Sequence, residues 1–254
     1  MLFIPVNSRP RFYTKLAVIN RKFQPPKPEI EVWDTPLQPH GRDPLEVAAT
    51  LSITRLADGT ISGLRWLLRD ITRENEILAQ IQRQAFYDPL TNLPNRAFFD
   101  MHLTKSLAQA TRQGQQLAIV FIDLDGFKAI NDSLGHAMGD LILKATANRL
   151  AQGLREEDVL VRWGGDEFAL ILYPVESLES ITQVCDRVQT NLQPIFPIHS
   201  QQITIRSSMG VALFPHHGND ATSLMRQADQ ALYRAKATGR NTYDFDASPV
   251  EPQP

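Results

Sequence analysis

The feature that most restricts the fold of this chain is a pair of apolar runs with a Gly-Gly-Asp-Glu tetrapeptide in the short segment between them. Residues 159–161 (Val-Leu-Val) and 168–172 (Phe-Ala-Leu-Ile-Leu) have the β-branched and aliphatic composition of buried strands. Two adjacent glycines between such strands favour a tight turn. The sequence therefore predicts a rigid β-hairpin with the tetrapeptide, residues 164–167, at its tip.

The composition of this tip points to ligand binding. Gly164 and Gly165 lack Cβ atoms and let a backbone approach a ligand, whereas the carboxylates of Asp166 and Glu167 are suited to a divalent cation. This pattern indicates a site for phosphate and metal. The alternative interpretation is an ordinary Gly-Gly hairpin with solvated acidic side chains, because short motifs of this kind often occur by chance.

A second acidic pair, Asp123 and Asp125, follows an apolar run upstream of the hairpin. Because side chains alternate along a strand, these two aspartates are predicted to lie on the same face of the strand end. If this strand lies beside the hairpin, Asp123 and Asp166 converge on one cation. Hard oxygen ligands of this type suit Mg²⁺, which is commonly completed by substrate phosphates, so the pattern predicts a nucleotide.

Together these motifs resemble the GGDEF family of diguanylate cyclases, which join two GTP molecules into cyclic di-GMP. The resemblance covers about two-thirds of the chain, in the family's order and spacing, which chance does not explain. The matching blocks are residues 88–96, 123–132, 135–140, 162–168, 208–212, 231–236 and 239–241. Asn92 stands where the family usually has glycine, and both residue types tolerate a positive φ.

Composition and charge agree with this resemblance and restrict the partners. The 26 basic and 28 acidic residues give a formal net charge of −2, which gives no reason to expect nucleic-acid binding. The single cysteine, Cys185, can form no internal disulfide, as is usual in a reducing cytosol. No apolar run approaches the ~18 to 20 residues that a membrane span needs. We therefore expect a soluble, cytoplasmic protein.

Residues 1–72 are expected to form a separate first unit. Two patches of alternating apolar residues, 47–53 and 61–68, flank a turn signal at residues 57–60, which predicts an antiparallel hairpin. With the Asp-Ile-Thr triplet at residues 70–72, this unit resembles the closing strands of a PAS sensor domain. Only the later half of such a domain is expected, either because the start is truncated or because a shortened domain survives as a dimerisation surface.

Residues 73–84 are predicted to form a linker helix that couples this unit to a GGDEF domain at residues 85–248. Apolar Ile71, Leu78 and Ala85 recur at sevenfold spacing, which suits a short two-stranded coiled coil. A linker helix packed on its own domain is the alternative.

The rest of the chain alternates between helical and extended patterns, which by periodicity alone indicate only an α/β or α+β fold. Helices are predicted near residues 97–112, 140–153, 178–192 and 221–237, and strands at 117–124, 158–173 (the hairpin) and 203–213. The resemblance implies a palm-like nucleotide-cyclase domain, with a central, mostly antiparallel sheet flanked by helices. Residues 249–254 are expected to be a flexible tail.

The resemblance also implies a metal and catalytic site. Asp123 and Asp166 would be side-chain ligands, and the backbone carbonyl of Leu124 would complete the set for two Mg²⁺ ions per active site, with Mn²⁺ as an alternative metal. Two such cations polarise the α-phosphate and the attacking 3′-hydroxyl group. Glu167 would support the site by orienting Lys128 or by assisting proton removal. The alternative for Glu167 is a simple strand-edge charge.

Two residues would read the guanine base. An Asp140 carboxylate accepts hydrogen bonds from the base's N1 and N2 donors, and the Asn131 amide both donates and accepts. Considered alone, Asp140 also fits a helix N-cap and Asn131 a local turn.

The triphosphate would be held by basic side chains and backbone amides. The residues that the resemblance assigns to this role are Lys128, Lys236, Arg240, Gly126, Phe127, Gly164 and Gly165. The alternative for Lys236 and Arg240 is that they complement the dipole of a nearby helix end.

Arg155 and Asp158 precede the hairpin by the spacing at which the family carries an inhibitory Arg-x-x-Asp site. An arginine fork matches a phosphodiester or the edge of guanine, so the product cyclic di-GMP would bind here and hold two catalytic domains apart. A surface ion pair is the alternative explanation. Arg187 is a candidate for the further arginine that family members recruit from a neighbouring helix.

The sequence as a whole predicts a GTP-dependent diguanylate cyclase that acts as a homodimer, because a half-site on one chain cannot close the ring. One alternative is a non-catalytic receptor that binds cyclic di-GMP through Arg155 and Asp158, although the intact Asp166, Glu167 and Lys128 argue against it. The other is a signalling adaptor in which residues 1–84 recruit a partner.

Overall fold

The computed structural model describes residues 2–3, 29–39, 41, 43–58, 60–198 and 201–245, and the chain divides into two units, Met1–Gln82 and Arg83–Pro254. The division falls within the predicted linker helix. Residues 4–28 of the predicted first unit, Gly59 of its turn and the predicted tail at 249–254 lie outside the described residues.

The first unit contains a four-stranded antiparallel sheet in the order β1-β2-β3-β4. Its strands are β1 (Leu2–Phe3), β2 (Glu29–Pro39), β3 (Leu45–Arg55) and β4 (Ile61–Asp70), and the helix α1 (Thr72–Phe86) begins in this unit and ends in the second. Alternate residues of β3 are buried, and Ala49, Leu51 and Ile53 pack with Trp33 of β2. The pairing of β3 with β4 confirms the predicted hairpin, whereas the resemblance to a PAS domain stays a prediction.

Helix α1 begins directly after β4. The Asp70 carboxylate accepts a hydrogen bond from the Thr72 amide at 2.9 Å, and the Thr72 hydroxyl accepts one from the Glu46 amide at 2.9 Å. None of the α1 side chains is buried, and Leu78 is 56% exposed, so the coiled coil stays a prediction. In the described part of the chain, no helix is both long and apolar enough to cross a membrane.

The second unit is built on a five-stranded sheet in the order β11-β10-β5-β7-β6, in which β10 and β11 are parallel and the other neighbours antiparallel. A separate two-stranded sheet pairs β8 with β9. This sheet with flanking helices confirms the predicted fold class. The elements are α2 (Arg96–Gln113), β5 (Gln116–Asp125), α3 (Phe127–Leu134), α4 (His136–Ala151), β6 (Val159–Gly164), β7 (Glu167–Val175), α5 (Leu178–Leu192), β8 (Phe196–Ile198), β9 (Gln201–Ile203), β10 (Arg206–Phe214), α6 (Ala221–Ala237) and β11 (Tyr243–Phe245).

The two faces of the five-stranded sheet pack against different helices, as the alternation along β5 shows. Leu117 and Ile119 pack with residues of α2 and α6, whereas Val120 and Ile122 pack with residues of α4 and α5. The aspartates that end β5 continue the first of these two sets, so they lie on the face covered by α2 and α6. Because β5 is the middle strand, its end is bordered by both β7 and β10.

Two helices differ from the sequence-based prediction. Helix α4 begins at His136, after Gly135 with a φ of 84°, instead of at residue 140. Asp140 therefore lies inside the helix and is not its N-cap. Helix α3, which the pattern does not predict, contains Asn131 in place of the suggested local turn. Eight residues are too few to give a clear helical period, which explains why α3 escapes the pattern.

Short strands account for the other differences. The predicted strand at 203–213 divides into β9, which ends at Ile203, and β10, which begins at Arg206. Strands β8, β9 and β11 have three residues each. Such lengths show too little alternation to predict a strand from sequence.

Candidate functional site

The tip of the β6–β7 hairpin is held by an arginine. Strand β6 ends at Gly164 and β7 begins at Glu167, so Gly165 and Asp166 form the turn. Gly165 has a φ of 53°, which glycine adopts without strain. The guanidinium of Arg162 donates to the Gly165 carbonyl at 3.1 Å from Nε and 2.7 Å from Nη2. Backbone conformation and a side chain therefore fix this turn together.

Arg162 also joins the hairpin to the loop that follows α1. Its Nη1 donates to both carboxylate oxygens of Asp88 at 3.0 Å, and Asp88 accepts hydrogen bonds from the Thr91 amide at 2.8 Å and hydroxyl at 2.7 Å. Burial would raise the pKa of Asp88, but the bonds from Thr91 and Arg162 together lower it. Asn92 in this loop has a φ of 58° and accepts a hydrogen bond from Arg83 at 2.9 Å.

The ends of β5 and β7 bring three of the predicted acidic residues together. Asp123 lies opposite Glu167 in the antiparallel register, and the Leu124 amide donates to the Asp166 carbonyl at 3.3 Å. Burial raises the pKa of Asp123, Lys236 opposes that shift, and neighbouring carboxylates add to it. Burial and the charge of Asp123 likewise raise the pKa of Glu167. Such crowding of carboxylates favours a bound cation.

Helix α6 places a lysine against these acids. The Nζ atom of Lys236 lies 2.7 Å from Oδ2 of Asp123. The helix packs closely on β10 at Gly210, where an added Cβ would lie 2.1 Å from the Ala228 carbonyl oxygen and 2.1 Å from the Leu232 amide nitrogen. Any larger residue at this position would push α6 away from the sheet. Gly210 therefore positions Lys236, a role that sequence reasoning missed.

Asp125 holds the loop after α6 to the end of β5. Its Oδ1 accepts a hydrogen bond from the Ser208 hydroxyl at 2.8 Å, and its Oδ2 accepts one from the Asn241 amide at 2.9 Å. The Nε atom of Arg240 lies 3.9 Å from Asp125 Oδ1. Arg240 has a φ of 62° and lies beyond the end of α6 at Ala237, so the loop and not the helix positions it.

The predicted guanine-reading residues lie on two helices that pack against each other. A Cβ added to Gly139 of α4 would lie 1.9 Å from Oδ1 of Asn131 in α3, so this side chain rests directly on the α4 backbone. Oδ1 of Asn131 is buried, and no hydrogen bond from the described residues satisfies it. A buried acceptor without a hydrogen bond costs free energy. The neighbouring Asp140 is exposed.

Three predicted phosphate contacts lie where α3 begins. Gly126 is the N-cap of the helix with a φ of 76°, Phe127 is buried, and Lys128 is exposed. The first amides of a helix have no intrahelical partner and attract anions. The backbone at Gly126 and Phe127 is therefore suited to a phosphate group.

The predicted inhibitory site is a compact turn between α4 and β6. Oδ2 of Asp158 accepts a hydrogen bond from the Arg155 amide at 2.9 Å, and the Asp158 amide donates to the Arg155 carbonyl at 3.2 Å. Burial raises the pKa of Asp158, against the effects of Arg155 and Arg187. Arg187 of α5 lies over Gly153, where an added Cβ would be 2.9 Å from its Cδ. The candidate second arginine therefore lies beside this turn.

The oxygen donors at the end of β5 fit a divalent cation. Within the described ranges, no three His, Cys, Asp and Glu side chains form a ready-made metal cluster. The carboxylates of Asp123 and Asp166 and the carbonyl of Leu124 are nevertheless hard donors of the kind that Mg²⁺ prefers. The raised pKa of Asp123 indicates that added positive charge would stabilise this arrangement.

The chain is similar in sequence to a known family and to several known proteins. The family model described as "Diguanylate cyclase, GGDEF domain" matches residues 85–242. Diguanylate cyclase TpbB of Pseudomonas aeruginosa is 41% identical over 165 residues, which are 65% of this chain and 38% of TpbB. The bifunctional diguanylate cyclase/cyclic di-GMP phosphodiesterase MucR of the same species is 38% identical over 202 residues, which are 79% of this chain and 29% of MucR. The chain thus spans well under half the length of these relatives.

Solved structures lead to the same assignment. The GGDEF domain of TpbB gives a TM-score of 0.61 at 39% identity and covers 63% of this chain and 93% of that domain. The coiled coil and GGDEF domain of DgcB from Caulobacter crescentus, solved in complex with c-di-GMP, gives a TM-score of 0.63 at 30% identity and covers 69% of this chain and 93% of that structure. The family model matches more than half of the residues of this chain, including those at the ends of β5 and β7. The chain therefore belongs to the GGDEF family of diguanylate cyclases.

Proposed function

We propose that this protein is an active diguanylate cyclase, which condenses two GTP molecules into cyclic di-GMP and releases two pyrophosphates. In each half-reaction the 3′-oxygen of one GTP attacks the α-phosphorus of the other. The bond to pyrophosphate breaks, and the hydroxyl proton passes to a base. The observation that carries this proposal is the convergence of Asp123, Asp166 and Glu167 at two strand ends, with Lys236 2.7 Å from Asp123.

GGDEF diguanylate cyclases generally use a divalent metal, and Asp123, Asp166 and the Leu124 carbonyl would hold it here. Two bound Mg²⁺ ions, or Mn²⁺ in their place, would polarise the α-phosphate and the 3′-hydroxyl group. Glu167 lies opposite Asp123 in the antiparallel register, a position from which it would assist proton removal or orient Lys128. Lys128 would neutralise charge on the phosphate oxygens.

Two further sets of contacts would bind the nucleotide. Asn131 and Asp140 would read guanine, since they lie on two helices that pack against each other and their amide and carboxylate match the donors and acceptors of the base. The remaining contacts would bind the triphosphate, and they come from Lys236, Arg240, the amides of Gly126 and Phe127, and the two glycines Gly164 and Gly165 of the hairpin.

The reaction requires two copies of the chain, because one GTP on one protomer supplies only half of the ring. We propose a homodimer whose two sites face each other, with product inhibition through Arg155 and Asp158. The proximity of Arg187 to this turn supports a two-arginine site. The relative DgcB was solved in complex with c-di-GMP, which supports product binding in this family.

The test is turnover of GTP by the full chain in the presence of Mg²⁺. Wild type should form cyclic di-GMP, and Asp166→Ala should form none, because it removes a metal ligand. Asp100→Ala, at an exposed position on α2, is the matched control and should keep wild-type turnover. Full activity of Asp166→Ala would overturn the metal assignment. Wild-type protein that binds cyclic di-GMP but forms no product would instead be a receptor.

A further inference from the structure

We propose that Arg206 is an additional binding residue for the terminal phosphates of the nucleotide. This inference rests on the proposed function, because it assigns a substrate contact in the same site. Arg206 is the first residue of β10 and has no role in the motifs that identify the family.

Arg206 lines a cleft that the site residues already described share. The cleft has a volume of about 410 Å³, and its lining residues are Asp125, Gly126, Arg206, Gly239, Arg240 and Asn241. Gly126 is the N-cap of α3, so amides suited to an anion border the cleft on one side. Arg240 and Arg206 reach it from a loop and from a strand. Two arginines and free helical amides around one cleft form a binding site for a polyanion.

The register of β10 sets the direction of Arg206. It lies opposite Asp125 in the antiparallel pairing with β5, as Ser208 lies opposite Asp123. Residues two apart on a strand share a face, and Gly210 faces α6. Arg206 therefore lies on the same face of the sheet as Lys236 of α6. Strand β10 thus adds a positively charged side chain beside Lys236 of α6 and Arg240 of the loop that follows it.

The charge balance of the cleft favours an anion. Asp125 lines it, but this side chain is only 9% exposed, and its two oxygens accept hydrogen bonds from Ser208 and Asn241. Arg240 is 63% exposed. The Arg206 side chain is exposed, and no described residue forms a hydrogen bond or an ion pair with that side chain. Its guanidinium fork is therefore available for two phosphate oxygens.

The position predicts which part of GTP would contact Arg206. The metal site formed by Asp123 at the end of β5 and Asp166 in the hairpin turn is assigned to the α-phosphate, and the cleft lies beyond Asp125 towards the loop after α6. The β- and γ-phosphates, which become the pyrophosphate leaving group, would extend into it. Arg206 should therefore strengthen binding of a triphosphate and contribute little to binding of GMP.

The test compares how Arg206→Gln binds GMP and the non-reactive α,β-methylene analogue of GTP, both with Mg²⁺, by calorimetry on the full chain. Loss of a charge-assisted phosphate contact should weaken binding of the analogue about 10- to 100-fold and leave binding of GMP unchanged. Arg206→Lys, which keeps the charge without the fork, should recover part of the loss. Arg112→Gln, at an exposed position in the last turn of α2, is the matched control and should bind both nucleotides as wild type does.

Two results would overturn the inference: unchanged affinity of Arg206→Gln for the analogue, or equal losses for GMP and the analogue, which would indicate a structural role. Binding does not depend on turnover, so the experiment separates the two proposals. If Arg206→Gln loses affinity for the analogue but not for GMP, and wild type nevertheless forms no product, the proposed cyclase activity would be wrong and the Arg206 contact would stand. Wild type that binds neither nucleotide would overturn both.

Discussion

The catalytic edge, formed by the ends of β5 and β7 with Lys236, and the Arg155–Asp158 turn are both predicted binding sites, yet they are built differently. At the edge, Asp125 accepts hydrogen bonds from Ser208 and Asn241, which are 83 and 116 positions away in the sequence. In the turn, Asp158 is bonded to a residue three positions away. The edge exists only when distant segments are assembled, whereas the turn depends mainly on its own backbone. Substitutions at the edge should therefore affect chemistry, and those in the turn should affect only regulation.

The largest effect is expected at the edge for Lys236→Met. This change removes the cation 2.7 Å from Asp123 and a proposed phosphate ligand, while the side chain keeps a similar length. Loss of one preorganised charged donor should lower kcat about 100- to 1,000-fold. Initial rates at saturating GTP and Mg²⁺ measure it.

Lys144→Met is the control, because Lys144 is exposed on α4. It should retain wild-type kcat. If Lys236→Met kept full activity, the ion pair with Asp123 would be a structural contact, and the contrast between edge and turn would lose its chemical basis.

We expect the next largest effect at the guanine-reading pair, Asn131 and Asp140. Its two residues lie on helices that are close in sequence. Gly139→Ala would place a Cβ 1.9 Å from Oδ1 of Asn131, which is too close, and would therefore displace the amide. A lost hydrogen bond to the base should raise KM for GTP about 10- to 100-fold with a smaller change in kcat.

A double-mutant cycle sharpens this result. Asn131→Ala removes the same amide and also makes room for the new methyl group. The double variant should therefore have the KM of Asn131→Ala alone, and additive losses would contradict the proposed contact.

A smaller effect, confined to regulation, is expected in the turn. Arg155→Ala leaves the edge untouched, so the initial rate should equal that of wild type. Loss of the guanidinium should raise the concentration of cyclic di-GMP that gives half inhibition about tenfold or more. Glu156→Ala, exposed in the same turn, should leave inhibition unchanged. A lower initial rate in Arg155→Ala would show that the turn is coupled to the edge.

Much of the edge could be predicted from sequence because alternation along a strand is a local rule. Asp123 and Asp125 follow a clear apolar run, and the glycines before Asp166 predict the turn. The central strand, the hairpin and four of the five predicted helices were placed within a few residues of their observed bounds, because helical periodicity is a local rule as well. The chemistry of carboxylates then indicates a cation, whatever the surrounding fold.

The contacts that hold these groups could not be predicted, because they depend on tertiary packing. Arg162 and Asp88 are bonded although they are 74 positions apart, and nothing local to either residue indicates the other. The close approach of α6 to Gly210 likewise depends on how the helix packs on the strand that precedes it, which the local sequence at Gly210 does not reveal. The only sequence signal for these contacts was that the residues belong to separate motif blocks of the resemblance to the GGDEF family.

The smallest predicted effect tests that long-range framework through stability. Asp88→Asn removes the charge that pairs with Arg162, and both side chains are largely buried, at 17% and 13% exposed. The loss should be about 1 kcal/mol at neutral pH, which lowers Tm by about 2–4 °C for a domain of this size. Thermal unfolding of the full chain measures it, and Asp100→Asn on α2 is the control.

The contribution of Asp88 to stability should decrease as pH falls. The pKa of Asp88 in the folded state is below its ordinary value of 3.8, so the carboxylate stabilises the fold above that pH and loses its contribution as pH falls through the folded-state pKa. The gap in Tm between wild type and Asp88→Asn should therefore be widest near neutrality and shrink below pH 3.8. If the gap in Tm stayed constant down to about pH 3, hydrogen-bond geometry and not charge would join the loop to the hairpin. The catalytic edge would then depend less on long-range electrostatics than its contacts suggest.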